Sequence, residues 1–163
     1  IGAGGAVGSA AVQLGKIFGA VVTGVCGGDK AEGVSELGAS RVIDYRKVNW
    51  REGAERYEGI LDTVGEVTFE NSRHLLTPRG RIGLVVADLP ATLKSAWISA
   101  TRPQKVLAGP ISETRADLEF LLSLCEQGRF RPWIGHTLPF DSIVEAHRRV
   151  EGGHKMGSVV LTL

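Results

Sequence analysis

The chain has few cysteines, almost no net charge and no long apolar run, and each shortage disfavours a class of protein. Only two of the 163 residues are cysteine, Cys26 and Cys125, and they lie far apart without CxxC spacing. A disulfide framework and a cysteine-rich zinc site are therefore disfavoured, and a reducing, cytoplasmic location is the simpler expectation. No apolar run approaches the ~20 residues of a membrane-spanning helix, and no secretory signal opens the chain, so we expect no membrane partner.

The charges nearly cancel, which disfavours a nucleic-acid partner. Lys and Arg number 19 and Asp and Glu 18, a net charge of +1. The four histidines form no HExxH pair, so we expect no metal site; they are His74, His136, His147 and His154. The length suits one domain over residues 1–163, because domains usually run from about 100 to 200 residues.

The 22 glycines separate short elements that alternate between strand and helix. The pattern predicts helices at 7–18, 29–37, 69–76, 115–127 and 142–150, and strands at 20–26, 41–45, 59–65, 81–86, 105–108, 134–138 and 158–163. Asp29 and Asp141 are the expected helix caps, and residues 87–102 receive no assignment. The alternation predicts an α/β fold, a Rossmann-type doubly wound, mostly parallel sheet flanked by helices. Only Ile1 precedes Gly2, so we expect the first strand to be largely missing.

A glycine-rich turn lies directly before the first predicted helix. Ala3, Gly5 and Gly8 match the spacing of a GxGxxG fingerprint, with alanine at its first position. Gly5 would let the backbone approach a pyrophosphate, and the free amides of Gly5, Ala6 and Val7 would hold the anion. A purely structural glycine turn is the alternative, but the strand that follows at the right distance favours a nucleotide.

The end of the second strand bears on which dinucleotide binds. An NAD site usually places Asp or Glu there to bind the ribose 2′-hydroxyl. Here the strand ends in Cys26-Gly27-Gly28, and no carboxylate comes before Asp29. Lys30 could supply a positive charge to a 2′-phosphate, so NADP(H) is favoured over NAD(H). In the alternative interpretation, Asp29 only caps a helix and Lys30 is a solvated surface residue.

The segment 62–65, Asp-Thr-Val-Gly, ends a later strand at the sheet edge where such folds bind ligands. Asp62 could equally serve only to cap or turn the chain. No catalytic residue is assigned, because neither Cys26 nor Cys125 has an obvious histidine partner. The Tyr-x-x-x-Lys signature of short-chain dehydrogenases is absent.

Four blocks of the sequence, in order, resemble the cofactor-binding domain of the medium-chain dehydrogenase/reductase superfamily. The similarity is to its zinc-independent, quinone oxidoreductase-like branch. The blocks are GAGGAVGSAAVQLGKIFGAVVTGVCG at 2–27, ELGASRVIDY at 36–45, ILDTVGEVTFENSRHLLTPRGRIG at 60–83 and GRFRPWIGHTLPFDSIVEAHRRVEGGHKMGSVVLTL at 128–163. The resemblance implies that a GroES-like N-terminal substrate domain is absent from these residues, and with it the region that carries zinc ligands in zinc-dependent relatives.

The resemblance also assigns positions to the cofactor. The pyrophosphate turn falls on residues 5–7, Lys30 and Tyr45 match positions that hold a 2′-phosphate, and the nicotinamide side matches residues 62–64 and 85–86. The expected cofactor-binding residues are Gly5, Ala6, Val7, Gly27, Lys30, Tyr45, Asp62, Thr63, Val64, Val85 and Val86.

In function, the resemblance implies an enzyme that transfers hydride from NADPH to a quinone or an α,β-unsaturated carbonyl. We expect this fragment alone to have little or no turnover, and we expect a homodimer that pairs a strand near 105–108. The alternative is a non-catalytic dinucleotide-binding or dimerisation module. An S-adenosylmethionine methyltransferase is disfavoured, because that fold generally has an acidic residue where Cys26 lies.

Overall fold

The computed structural model of the chain describes residues 1–110, 112–153 and 155–163, and His154 lies outside the described residues. Within these residues every strand pairing is parallel, which confirms the α/β class. The helices are α1 (Ala6–Ile17), α2 (Ala31–Glu36), α3 (Phe69–Ser72), α4 (Leu89–Thr101), α5 (Arg115–Glu126) and α6 (Ile143–Glu151). The strands are β1 (Thr23–Cys26), β2 (Arg41–Asp44), β3 (Tyr57–Asp62), β4 (Leu76–Leu84), β5 (Lys105–Ala108), β6 (Ile134–Pro139) and β7 (Ser158–Thr162).

The described chain divides into two compact units. Unit 1 comprises Ile1–Gly2 and Tyr45–Ser112, and unit 2 comprises Ala3–Asp44 and Glu113–Leu163. Unit 1 contains one sheet with strand order β3-β4-β5, whereas unit 2 contains the pairs β1-β2 and β6-β7. Within the described residues, no helix is both long enough and apolar enough to cross a membrane.

In unit 2, the helices end where the glycines predict. Gly19 and Gly38 have φ angles of 81° and 113°, a left-handed conformation that glycine adopts without steric cost, and they follow α1 and α2. The buried core of this unit groups residues from α1, β1 and α2. The side-chain amide of Gln13 on α1 pairs with the backbone of Arg131, donating to its carbonyl and accepting from its N–H, both at 2.9 Å. This pairing fastens the segment before β6 to α1.

In unit 1, the core packs around the sheet. Leu75, Ile82, Ile98 and Val106 are at most 4% exposed and belong to one apolar cluster. The segment 87–102, which the sequence left unassigned, contains α4, and the Asp88 carboxylate caps it by accepting from the Ala91 N–H. Leu89, Leu93 and Trp97 are exposed on this helix, so its apolar residues do not form one core-facing stripe and the periodicity is weak.

Both predicted aspartate caps are wrong. Asp29 lies within a 3-10 turn at Gly28–Lys30, and α2 begins after it without a side-chain cap. Asp141 likewise lies within a 3-10 turn at Phe140–Ser142, and no side chain caps α6. In each case the chain makes a tighter turn before the helix, so the aspartate falls inside the turn rather than at the cap.

The predicted helix 69–76 is also shorter than expected. A capping box between Thr68 and Asn71 begins α3, but the helix ends at Ser72 and a 3-10 turn follows. The chain enters β4 at Leu76, five residues before the predicted strand. The pairing of β3 with β4 is irregular between Tyr57 and Gly59. Pro78, which has no N–H to donate, lies in the part of β4 opposite this irregularity.

Candidate functional site

The N-terminus of α1 in unit 2 has features that favour an anion. Gly5 occupies the N-cap position, no side chain caps the helix, and its first turn contains no acidic residue. Val7 is exposed in this turn, whereas Gly8 is buried, as expected for a glycine that lets the helix pack closely. The first amides of a helix have no partner within the helix, and the helix dipole favours negative charge there. The turn can therefore accept a phosphate group.

A segment distant in sequence lies against this turn. The Gly157 N–H donates to the Gly4 carbonyl at 2.9 Å, and Gly157 forms an isolated parallel bridge with Gly5. Gly157 has a φ of 50°, and a Cβ at this position would collide with the Trp133 carbonyl. This contact was not predictable from the sequence, because about 150 residues separate its partners and no local motif marks it.

Lys30 packs against the glycine turn. A Cβ built on Gly4 would lie 3.1 Å from the Lys30 Cβ and would collide with its Cδ, so the lysine side chain lies across the glycine. The Lys30 ammonium donates to the Lys155 carbonyl at 3.0 Å, and the Lys155 ammonium donates to the Gly157 carbonyl at 2.9 Å. Lys30 is thus half-buried and held beside the turn rather than freely solvated.

A carboxylate that was not predicted from the sequence, that of Asp44, lies at the carboxyl ends of β1 and β2. Cys26 and Asp44 are register partners at the ends of these two strands. A Cβ on Gly28 would lie 3.1 Å from the Asp44 Cγ and would collide with its Oδ2, so this carboxyl group contacts the turn after β1. The strand β1 itself ends without an acid, but the neighbouring strand supplies one. Gly27 is buried at the same turn.

Burial raises the pKa of the Cys26 thiol. The nearby Lys30 ammonium opposes this shift, and the Asp44 and Asp29 carboxylates add to it. The thiol is therefore neutral at pH 7 and packs as a small core side chain. Its pKa depends on the charges around the end of β1.

The remaining predicted site residues belong to unit 1. Tyr45, the first residue after β2, is 49% exposed, and the Arg46 guanidinium lies 5.7 Å from the centre of its ring. Val64, Val85 and Val86 are also exposed, at the carboxyl ends of β3 and β4. Together the three valines give this edge of the unit 1 sheet an apolar surface suited to a planar ring.

Asp62 is fully buried and its carboxylate is committed to its own turn. One oxygen accepts from the N–H groups of Val64 at 3.0 Å and Gly65 at 3.2 Å, and the other accepts from the Val67 N–H at 2.8 Å. Thr63 is fixed separately, because its hydroxyl donates to the Ile1 carbonyl at 2.9 Å. Asp62 thus holds the backbone of the loop that contains Val64, so its role is to position this loop.

The chain is similar to known dehydrogenases and reductases. The profile of the family described as zinc-binding dehydrogenase matches residues 37–161. Over 162 residues the chain is 32% identical to an acryloyl-coenzyme A reductase of Metallosphaera sedula, covering 99% of this chain and 49% of that protein. It is 28% identical over 171 residues to a chloroplast envelope quinone oxidoreductase homolog of Arabidopsis thaliana, covering 98% and 50%. A solved NAD-dependent alcohol dehydrogenase superposes with a TM-score of 0.80 at 28% identity, covering 98% and 49%.

These matches identify an α/β domain of the Rossmann type. The chain belongs to the zinc-binding dehydrogenase family, within the quinone oxidoreductase-like branch of the medium-chain dehydrogenase/reductase superfamily. Members of this superfamily bind nicotinamide dinucleotides. The chain spans about half the length of the relatives it matches.

Proposed function

We propose that the chain is the NADP(H)-binding domain, over residues 1–163, of a zinc-independent oxidoreductase that reduces a quinone or an α,β-unsaturated carbonyl. The observation that carries this proposal is the N-terminus of α1, which has no side-chain cap and no acidic residue and lies beside the packed Lys30 side chain. When bound, NADPH supplies the hydride, and the protein supplies binding and orientation.

In this proposal three groups of residues contact the cofactor. The amides of the α1 N-terminus hold the pyrophosphate, the turn after β1 and the residue after β2 hold the adenosine ribose and its 2′-phosphate, and the ends of β3 and β4 face the nicotinamide. The proposed contacts are Gly5, Ala6 and Val7 for the pyrophosphate; Gly27, Lys30 and Tyr45 for the ribose phosphate; and Thr63, Val64, Val85 and Val86 for the nicotinamide, with Asp62 positioning the loop.

Zinc has no place in the proposal. In residues 1–110, 112–153 and 155–163, no three or more His, Cys, Asp or Glu side chains are grouped so that they could hold a metal ion. The described residues therefore do not fit the metal to which the family's name refers, and no step is assigned to it. We also propose a homodimer and a cytoplasmic location, although the Arabidopsis relative is named for the chloroplast envelope.

NAD(H) is the second candidate cofactor, and Asp44 is the observation that favours it. Its carboxylate contacts Gly28 at the turn after β1, near the place where dinucleotide folds usually bind a ribose 2′-hydroxyl with an acid. The NAD-dependent alcohol dehydrogenase that superposes on this chain points the same way. Lys30 and the absence of an acid at the end of β1 itself favour NADP(H).

A non-catalytic dinucleotide-binding or dimerisation module is the other class of function. Reductase activity distinguishes the two functions. Only an oxidoreductase would gain this activity when the chain is joined to the additional region that its longer relatives contain. Such activity with a quinone or an enone would reject the non-catalytic module.

The proposed phosphate site can be tested by introducing a negative charge at the start of α1. Val7→Asp adds a carboxylate to an exposed position in the first turn, where the helix dipole favours it but a pyrophosphate would be repelled. We expect the dissociation constant for NADPH to rise at least about tenfold while the melting temperature is unchanged or higher. Val21→Asp, a more exposed valine outside the turn (85% against 52% for Val7), is the control. Unchanged NADPH affinity in Val7→Asp, or no binding by the folded wild-type chain, contradicts the proposal.

A further inference from the structure

Unit 2 contains a cavity at the end of α1 opposite the glycine turn. Its volume is about 500 Å³, which lies within the range of roughly 300–1,000 Å³ that small-molecule sites occupy. The last turn of α1, the end of α2 and the segment that follows α5 line the cavity. The length of α1, about 18 Å for its 12 residues, separates its last residue from the proposed pyrophosphate contacts.

Positive charge prevails among the residues that line this cavity. Lys16, Arg129 and Arg131 contribute three cations, and Glu36 contributes one anion. In the part of the chain that the structure describes, none of the three cations forms an ion pair with an acidic side chain. Like charges that line one cavity repel each other, so a bound anion would relieve their repulsion.

The side chain of Lys16 is held at the cavity without being used by its own helix. Its stem lies across Gly38, because a Cβ built on that glycine would collide with the Lys16 Cδ and would lie 3.3 Å from its Cβ. A lysine in the last turn often bonds the free carbonyls of its helix, where the negative end of the dipole resides. Here the Leu14 carbonyl already accepts from the Phe18 N–H at 2.9 Å. The Lys16 carbonyl accepts from the Gly19 N–H at 3.0 Å, so the ammonium is available to a ligand.

The two arginines are fixed through their backbone. The Gln13 side-chain amide pairs with both backbone groups of Arg131, and the Arg129 N–H donates to the Leu124 carbonyl at 3.0 Å. The Arg129 guanidinium contacts only the neutral side chain of Gln127, at 3.4 Å. The backbone is therefore ordered by contacts that leave the charge of both guanidinium groups uncompensated.

The other residues that line the cavity suit a ligand that is not a bare anion. The Glu36 carboxylate can accept hydrogen bonds from hydroxyl groups. Ile17 and Leu37 add apolar surface, which can contact the C–H groups of a ring. A ligand that matches the whole cavity thus combines an anionic group with hydroxyl groups on a small carbon skeleton.

The geometry points to a binding site for a sugar phosphate in this cavity. Lys16, Arg129 and Arg131 bind the phosphate, since guanidinium and ammonium groups form charge-assisted hydrogen bonds with phosphate oxygens. A sugar hydroxyl donates to the Glu36 carboxylate. The site lies at the far end of α1 from the proposed cofactor contacts and does not depend on them.

The experiment titrates the full, ¹⁵N-labelled chain with glucose 6-phosphate and follows the backbone amides by NMR. We expect saturable shifts of the Leu37, Gly128 and Arg129 amides, which belong to residues that line the cavity. Glucose, which lacks the phosphate, should produce no such shifts. Arg131→Ala should raise the dissociation constant for glucose 6-phosphate at least about tenfold, because it removes a charge-assisted contact. The pairing with Gln13 uses only backbone atoms of Arg131 and should persist in this variant.

A second variant tests the role of the acid. Glu36→Gln should lower the preference for glucose 6-phosphate over inorganic phosphate, because inorganic phosphate has no sugar hydroxyl to donate and no longer meets a negative charge. Arg148→Ala, at an exposed arginine on α6 in the same unit, is the control for the loss of one positive charge and should leave both affinities unchanged.

Three results would overturn the sugar-phosphate site. The first is the absence of saturable shifts at the cavity amides, including the case in which glucose 6-phosphate shifts only the Gly5 amide at the start of α1. The second is an equal response to glucose. The third is a dissociation constant in Arg131→Ala that equals the wild-type value.

Discussion

The Asp62 carboxylate accepts a hydrogen bond from the Val67 N–H at 2.8 Å, across five residues of chain and with no exposure to solvent. Two further amides, those of Val64 and Gly65, bond the other carboxylate oxygen. One buried charge thus defines the loop after β3, from which Val64 projects. The carboxylate shapes the proposed nicotinamide edge by fixing the backbone.

Replacing Asp62 with asparagine should therefore weaken folding as well as binding. The amide nitrogen of Asn would face at least one backbone N–H that now has a carboxylate oxygen, and a buried donor without a partner costs about 1–3 kcal/mol. We expect urea denaturation to show a loss of this size in the free energy of unfolding. Glu58→Gln, an exposed carboxylate on the same strand, should change it by less than about 0.5 kcal/mol. Equal stability in Asp62→Asn would contradict the role of Asp62.

Gly4 should matter because it makes room for Lys30. In Gly4→Ala the new Cβ would collide with the lysine side chain, which must then leave the glycine turn. We expect the affinity for NADPH to fall more than the affinity for NADH, because only NADPH carries the 2′-phosphate. Gly59→Ala, where nothing lies within 4 Å of the new Cβ, is the control. Equal losses of affinity for NADPH and NADH would contradict a contact between Lys30 and the 2′-phosphate.

The Cys26 thiol should report on its charged neighbours. Because burial raises its pKa and Lys30 lowers it, Lys30→Ala should move the pH midpoint of alkylation upward, and Asp44→Asn should move it downward. The rate of iodoacetamide labelling, followed by mass spectrometry in a Cys125→Ser background, measures this midpoint. Identical midpoints in the three proteins would show that the charges do not act on Cys26.

The same shift gives a pH dependence of stability. The pKa of Cys26 in the folded chain lies above its unfolded value, so folding favours the neutral thiol. Its contribution to stability is complete below the ordinary thiol pKa of about 8.5 and is lost as the pH rises through the folded-state value. Cys26→Ala should flatten this alkaline part of the stability curve, and an unchanged curve would contradict the assignment.

Asp44 should discriminate between the two candidate cofactors. Asp44→Asn removes a negative charge beside Gly28, so the affinity for NADPH should rise severalfold if a 2′-phosphate binds there. The affinity for NADH should fall if Asp44 bonds the ribose hydroxyls instead. Glu58→Gln, in the other unit, serves again as the control. No change with either cofactor would place the adenosine ribose elsewhere.

The sequence predicted the parts of the fold that depend on neighbouring residues. Gly19 and Gly38 end helices, β5 has its predicted bounds, and parallel strands alternate with helices. Such features follow from local backbone preference and from periodic burial, which a single sequence displays directly. The predicted helix caps Asp29 and Asp141 are wrong, because a 3-10 turn and the cap of a helix favour the same residue types.

The parts that sequence analysis missed depend on contacts between distant residues. Nothing near Gly157 indicates that it pairs with Gly5, and the acid beside Gly28 comes from the neighbouring strand rather than from β1. The burial of Asp62 is also a tertiary property, since the same Asp-Thr-Val-Gly sequence could place an exposed ligand at the end of a strand. The positions that choose and orient a ligand were therefore the hardest to predict.

Calorimetric titration of the chain with NADPH and with NADH tests the central claim most directly. We expect NADPH to bind more tightly, and Lys30→Ala to weaken NADPH binding by about tenfold, the loss of one charge-assisted hydrogen bond. NADH binding should be unchanged in that variant, and Lys16→Ala, at the other end of α1, should leave both affinities unchanged. Tighter binding of NADH, or no binding of either dinucleotide by the folded chain, would contradict the proposed NADP(H) domain.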